Sequence, residues 1–175
     1  LVEGGAGIDY ERKTGLLRTP LQRAAEASNF EIVSYLVDRG ALIDTSPVYS
    51  GATALQLAAM NGYVGITTFL LEHDANPNYP PAKGEGRTAF EAAAEWGRID
   101  TMSLLMGAGV DLDMQIGDPP CTQYERSVGF AEKNGYMASK RFVQHLYSQI
   151  SAMNETEEAP KLDRIQNPSM PSPRW

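Results

Sequence analysis

Residues 53–62 read Thr-Ala-Leu-Gln-Leu-Ala-Ala-Met-Asn-Gly, the pattern of a short helix followed by a tight turn. Thr53 and Gln56 are spaced as a capping box, in which two side chains satisfy the first free N–H groups of a helix. Ala58 and Ala59 are small enough for a second helix to approach closely. Gly62 permits the left-handed conformation that commonly ends a helix.

The same pattern recurs on both sides of this stretch. Thr19 lies 34 residues before Thr53, and Thr88 lies 35 residues after it. Each copy continues with paired alanines, a small residue nine positions after the threonine, an apolar second helix and a closing Asp or Asn. The closing residues are Asp44, Asn78 and Asp113. A helix pair of this size cannot bury its apolar face alone, so the pattern predicts copies stacked along a line.

The repeating unit resembles the ankyrin repeat. Thr-Pro-Leu-Gln at 19–22 is close to the Thr-Pro-Leu-His signature of that family, and the unit length agrees. The alanine-rich first helices and the Pro-Pro turn further resemble ankyrin arrays of filamentous fungi. The resemblance implies an all-α solenoid of stacked helix–turn–helix units with projecting β-turn or hairpin loops.

The spacing gives the boundaries of the copies. We expect an array over residues 1–150 and, because of its prolines and polar residues, a disordered tail over residues 151–175. The expected units are a partial repeat at 1–18 and repeats at about 19–52, 53–87, 88–121 and 122–150. Leu1–Asp9 reads as the closing part of an earlier copy, which predicts that the array begins inside a longer protein.

The fourth copy is the least regular. Gly135 lies 13 residues after Thr122, where the other copies have nine. We place the additional residues in an extra turn of the first helix, because Thr122 and Glu125 still form a capping-box pattern. The alternative is a helix that begins at Arg126.

Two departures from the family pattern predict local differences. Gln22, Gln56 and Glu91 occupy the position of the family's histidine, so an amide or a carboxylate must make the hydrogen bond that braces the turn. Asp74 stands where glycine is usual, so we expect that helix end to be strained or closed differently.

The composition excludes several kinds of partner. Twenty-two acidic against 15 basic residues give a net charge of -7 and a pI near 4.8. This balance argues against binding nucleic acid or an anionic membrane, which requires a local excess of Lys and Arg. No apolar run approaches the roughly 18 residues of a membrane span. One cysteine suits a reducing compartment, so we expect a cytoplasmic or nuclear protein.

The sequence contains no recognisable catalytic or metal-binding arrangement. His73 and His145 lack the His or Cys partner at i+4 that would suggest zinc. Cys121 follows two prolines without an orienting motif, and no Gly-Lys-Ser/Thr phosphate loop is present. We therefore expect no enzymatic activity, cofactor or metal.

The resemblance implies a protein–protein interaction scaffold that binds through its concave surface, formed by the projecting loops and the exposed faces of the first helices. The candidate binding residues are Tyr49, Met60, Asn61, Tyr79, Arg87, Glu95, Trp96 and Lys133. For Trp96 and Tyr79, binding and local packing both remain open. We expect a monomer whose partner is another protein. The alternative is the C-terminal regulatory or sensing array of a larger enzyme or NTPase-type signalling protein whose catalytic domain precedes residue 1.

Overall fold

The computed structural model describes residues 18–45 and 51–157, and the side chains as far as residue 154. The partial repeat before residue 18, candidate residue Tyr49 and the tail from residue 158 lie outside the described residues.

The described residues form eight helices and one two-stranded antiparallel sheet. The helices are α1 (Pro20–Glu26), α2 (Phe30–Asp38), α3 (Ala54–Asn61), α4 (Val64–Glu72), α5 (Ala89–Glu95), α6 (Ile99–Gly107), α7 (Gln123–Lys133) and α8 (Met137–Glu157). Strand β1 (Gln115–Ile116) pairs with β2 (Cys121–Thr122) in the last projecting loop. The expected all-α architecture with hairpin loops is confirmed.

A capping box opens each of the four first helices, as the sequence predicts. In α3, the Gln56 N–H donates to Thr53 Oγ1 at 3.2 Å, and the Thr53 N–H donates back to Gln56 Oε1 at 2.9 Å. Thr19, Thr88 and Thr122 begin α1, α5 and α7 in the same way. These helices are short, and the reciprocal bonds satisfy donors that would otherwise lack partners.

The copies stack in a line. Helix α1 packs on α3, α3 on α5 and α5 on α7, while α2, α4 and α6 form a second row behind them. Leu21, Leu55 and Phe90, two residues after each cap, are at most 1% exposed, and the paired alanines beside them are also buried. Small residues at these positions bring the helices of neighbouring copies into direct contact, so each copy covers the apolar face of the next.

The fourth copy confirms the predicted start of its first helix, and its second helix is longer than expected. Helix α7 has 11 residues and begins after Thr122, so the extra turn is present and the start at Arg126 is wrong. Helix α8 continues to Glu157, seven residues beyond the predicted end of the array at residue 150. Residues 151–157 contain no proline or glycine to stop the helix, and the first proline beyond them is Pro160.

The closing Asp or Asn of each copy accepts a hydrogen bond from the next. Asp44 Oδ2 accepts the Asn76 N–H at 2.9 Å, and Asn78 Oδ1 accepts the Asp111 N–H at 2.8 Å. Asp113 Oδ1 accepts the hydroxyl of Tyr147 in α8 at 2.9 Å. These side chains therefore link successive copies. They lie at the end of each helix pair that is opposite the turn connecting its two helices.

Candidate functional site

The loops that join each second helix to the next first helix are here called fingers, and their described residues are 39–45 with 51–53, then 73–88, then 108–122. Gln22 Nε2 donates to the Thr45 carbonyl in the first finger at 2.7 Å. Gln56 Nε2 donates to the Tyr79 carbonyl in the second finger at 3.1 Å. The expected amide brace is thus present in both copies, and each finger is tied to the first helix before it.

The third copy uses a carboxylate at the same position, and the result is different. Glu91 is fully buried and cannot donate to a finger carbonyl. It forms an ion pair with Arg126 of α7, whose Nη2 lies 3.3 Å from Glu91 Oε2. Arg126 also reaches the Gly86 carbonyl at 3.5 Å. The charge that balances Glu91 is therefore supplied by the fourth copy.

A cluster of aromatic and charged side chains surrounds this ion pair. The Arg87 guanidinium lies 3.8 Å from the centre of the Phe130 ring, and that of Arg126 lies 5.2 Å from it. Arg87 also binds Glu95 through two hydrogen bonds of 3.0 and 3.3 Å. Bidentate pairing and contact with an aromatic ring both fix a guanidinium in place, so this part of the surface is preorganised.

A small cleft lies between two equivalent ion pairs. Arg18 pairs with Glu26 in the first copy, and Arg87 pairs with Glu95 in the third. In the second copy, Ala52 and Met60 occupy the same two positions, which leaves a cleft of about 150 Å³ between the pairs. We call it the α3 cleft. Its lining residues are Arg18, Gly51, Ala52, Gln56, Leu57, Met60, Glu85, Gly86, Arg87 and Ala92.

Three of the predicted site residues meet at this cleft. Met60 and Arg87 line it, and Glu95 holds Arg87 in position. Asn61 follows on α3, where its side chain donates to the Leu57 carbonyl at 2.9 Å. That bond lies within its own helix, so Asn61 presents only part of its polar capacity to a partner.

The other described candidates lie further from the cleft. Tyr79 is half-buried in the second finger. Trp96 is 43% exposed at the end of α5, and its ring has no aromatic or cationic partner among residues 18–45 and 51–157. Lys133 is exposed at the end of α7. These three residues are accessible, but the structure does not bring them together.

Sequence reasoning missed Arg126 and Phe130. Counting back from Gly135 selects Lys133 as the matching surface residue of the fourth copy, but the longer α7 places Phe130 against Arg87. Counting forward from Thr122 would have found Phe130 at the eighth position, where the third copy has Trp96. The repeated spacing of eight residues in Arg18–Glu26 and Arg87–Glu95 was a further available signal.

The pKa values of Arg18 and Cys121 are both shifted from their ordinary values. Burial, followed by repulsion from Arg23, lowers the pKa of Arg18. The Cys121 thiol donates to Glu125 Oε2 at 3.2 Å, and this hydrogen bond raises the pKa of the thiol. Because the thiolate is the nucleophilic form, this environment disfavours covalent catalysis by Cys121.

The described residues offer neither a membrane span nor a metal centre. Within residues 18–45 and 51–157, no helix has the length and apolar character to cross a bilayer. In the same part of the chain, no three side chains of the His, Cys, Asp and Glu types come together as metal ligands.

A family model described as ankyrin repeats (3 copies) matches residues 1–80 and 43–116. The chain belongs to the ankyrin-repeat family. The matched residues end before α7, yet α7 packs on α5 as α5 packs on α3, so the ankyrin stacking continues through the fourth copy.

Several curated proteins are similar in sequence to this chain. It is 34% identical over 106 residues to the ankyrin repeat and KH domain-containing protein mask-1 of Caenorhabditis elegans, covering 61% of this chain and 4% of that protein. It is 33% identical over 117 residues to human ankyrin repeat and KH domain-containing protein 1, covering 66% and 4%. The nuclear factor NF-kappa-B p105 subunit of Gallus gallus is 31% identical over 104 residues, covering 59% and 10%. The chain thus spans a small part of these relatives.

Proposed function

We propose that this ankyrin array is a non-catalytic interaction module that binds a partner protein along its concave surface. Ankyrin repeats generally serve as protein–protein interaction modules. The observation that carries the proposal is the α3 cleft, a recess with both polar and apolar lining that lies between the Arg18–Glu26 and Arg87–Glu95 pairs. The alternative, a sensing array of a larger enzyme, has no described contact in its favour and stays a prediction.

The rigidity of the cleft edge supports this proposal. Arg87 is held by Glu95, by the Glu85 carbonyl at 2.7 Å and by the ring of Phe130. A side chain already fixed in the free protein loses little conformational entropy when a partner binds. The surface therefore presents preformed contacts, which favours recognition of a folded or a short linear partner over loose association.

Trp96 extends the proposed surface toward the end of α5. It is 43% exposed, and an exposed tryptophan is among the side chains that most often dominate interface energetics, at roughly 2 kcal/mol or more on truncation. Met60, on the neighbouring α3, is half-buried and lines the cleft. Trp96 and Met60 thus supply two separate apolar contacts on the proposed surface.

The test begins by capturing a partner with the full chain and purifying it. Met60→Glu and Trp96→Ala should each weaken its binding by at least tenfold in titration calorimetry, with little change in melting temperature. Ser103→Glu, on the exposed side of α6 in the second row, is the matched surface control and should bind normally. Unchanged affinity in both concave-surface variants would refute the proposal.

Tyr79→Ala and Trp96→Ala also distinguish binding from local packing. Trp96 is accessible and Tyr79 is half-buried, so a binding role predicts weaker partner affinity at nearly normal stability. A large loss of stability with unchanged affinity would identify either residue as a packing residue.

A further inference from the structure

The size and lining of the α3 cleft suit a single side chain. Leu57, Ala92 and Met60 supply the apolar part of its lining. A polar part of similar extent comes from Arg18, Gln56, Glu85 and Arg87. The volume is about 150 Å³. A cavity of about that volume accommodates a benzene-sized group, so the cleft can take one aliphatic side chain but not a helix or a folded surface.

The two edges of the cleft carry different charges. Arg18 lines the cleft on the α1 side and pairs with Glu26. Glu26 also pairs with Arg23, whose Nη1 lies 3.4 Å away, so among the described residues two guanidinium groups share one carboxylate beside this edge. Arg23 contributes to lowering the pKa of Arg18, which shows that the two cations repel each other. A further carboxylate at this edge would relieve that repulsion.

The α5 edge has no such excess of positive charge. Arg87 is matched by Glu95, and Arg126 is matched by the buried Glu91. Glu85 lines the cleft on this side and is exposed. A carboxylate of a partner is therefore favoured at the α1 edge and opposed at the α5 edge, although the whole chain carries a net charge of -7.

We propose that the α3 cleft is an anchor pocket for one aliphatic side chain of a partner segment, with an acidic residue of that segment against Arg18 and Arg23. This inference rests on the proposed function, because it names the kind of segment that the concave surface recognises. A central apolar anchor in a desolvated pocket beside a charged rim is the arrangement that concentrates binding energy in a few contacts.

A phage library of random 12-residue peptides, selected on the full chain, tests the ligand chemistry directly. The expected result is enrichment of peptides that share one Leu, Ile or Met with an Asp or Glu within two positions. Synthetic copies of the enriched peptide then give dissociation constants by fluorescence anisotropy. Absence of enrichment, or enrichment of peptides with basic residues beside the aliphatic one, overturns the inference.

The variant Ala52→Arg/Met60→Glu should fill the cleft with an Arg–Glu pair of the kind that two other copies already contain. It places in the second copy the Arg and Glu found at the same two positions in the first and third copies, so it should fold with a normal melting temperature. We expect at least a 30-fold loss of affinity for the enriched peptide. Ser103→Arg, which adds a similar charge on α6 outside the cleft, is the control and should bind as the parent does.

Arg23→Ala tests the contact with the acidic residue separately from the aliphatic anchor. The Arg23 side chain is 66% exposed, so its removal should leave the fold intact. The preference for peptides with the acidic residue over matched alanine peptides should fall about fivefold, while the preference for the aliphatic residue remains. Unchanged acid preference overturns the assigned orientation.

The captured partner distinguishes failure of this inference from failure of the proposed function. Weaker partner binding by Trp96→Ala, but not by Ala52→Arg/Met60→Glu, supports the concave surface and overturns the anchor pocket. Binding of a purified partner that no concave-surface variant weakens overturns the proposed function itself.

Discussion

The second and third copies, residues 53–87 and 88–121, have the same helices but brace their first helices differently. Gln56 donates to a carbonyl of the finger that follows it, so the second copy satisfies this position with its own residues. Glu91 is fully buried and depends on Arg126 from the fourth copy. A change from amide to carboxylate at one position thus couples two copies through Arg126.

Arg126→Met breaks the coupled brace and should have the largest effect. It leaves the Glu91 carboxylate buried without its cation, and removing one partner of a buried ion pair costs about 3–5 kcal/mol. Urea denaturation followed by circular dichroism would measure the loss in the free energy of unfolding.

The double variant Glu91→Gln/Arg126→Met is the matched control. The introduced glutamine would restore the amide of the first two copies, with the Met114 carbonyl 23 residues downstream as its acceptor, as Thr45 and Tyr79 are for Gln22 and Gln56. Most of the lost stability should therefore return. A double variant as unstable as Arg126→Met would mean that the ion pair is not what Arg126 contributes.

Gln56→Glu creates in the second copy a carboxylate without an arginine. The new side chain keeps its place in the capping box but loses its hydrogen bond to the Tyr79 carbonyl and faces carbonyl oxygens instead. We expect a loss of about 2 kcal/mol at neutral pH, since a buried polar group is left without a partner. The loss should shrink in acid, where the protonated carboxyl can donate. Equal stability at both pH values would show that the amide donor is unimportant.

The repeating parts of this fold could be predicted from sequence because local rules specify them. The pattern of Thr53, Gln56 and Gly62 indicates where a helix begins and ends. The recurrence of this pattern predicts that the units stack. The end of α8 was not predictable from repeat length, because its extension depends on the absence of helix-breaking residues up to Pro160.

The candidate site was less predictable, because it depends on contacts between copies. Met60, Arg87 and Glu95 were found as exposed positions of one repeat. Arg126 and Phe130 were missed because their roles arise from Glu91 and Arg87 in the preceding copy, about one repeat length away. Spacing within a repeat predicts which face a residue occupies, but not which residue of the neighbouring copy it meets.

Asp44→Asn extends the comparison to the closing position, where the second copy already has Asn78. Asn78 accepts from the Asp111 N–H and also donates to the Gly109 carbonyl at 2.9 Å. Asp44 accepts the corresponding hydrogen bond, from the Asn76 N–H, but its carboxylate cannot donate one. The buried Oδ1 of Asp44 has no partner among the described residues. The new amide can donate to the carbonyl of Asp74, which corresponds to Gly109, so we expect a gain of about 1 kcal/mol at neutral pH.

The gain from Asp44→Asn should depend on pH. Burial raises the pKa of Asp44 above its ordinary value of 3.8, with the Asn76 N–H as a smaller opposing influence. Ionisation of the Asp44 carboxyl therefore destabilises the folded state. This destabilisation is absent below about pH 3.8 and develops as the pH rises through the folded-state pKa. Denaturation at pH 3 and pH 7 should show the advantage of the variant at neutral pH alone. A pH-independent difference would exclude ionisation as its source.

Asp74→Gly tests the residue that follows the end of α4. At this position the second copy has an aspartate in the left-handed backbone conformation, whereas the third copy has Gly109. Asp74 has a φ of 66°, and Gly109 occupies the matching place with a φ of 87°. A residue with a Cβ atom is strained there, whereas glycine is not, although glycine loses more entropy on folding, so we expect a net gain of roughly 0.5 kcal/mol. Gly109→Asp is the converse variant, and no atom beyond its chain neighbours lies within 4 Å of a Cβ built at Gly109, so its cost reports mainly the backbone conformation. Opposite shifts of similar size in thermal denaturation would show that the two helix ends differ only in this strain, and shifts of the same sign would contradict it.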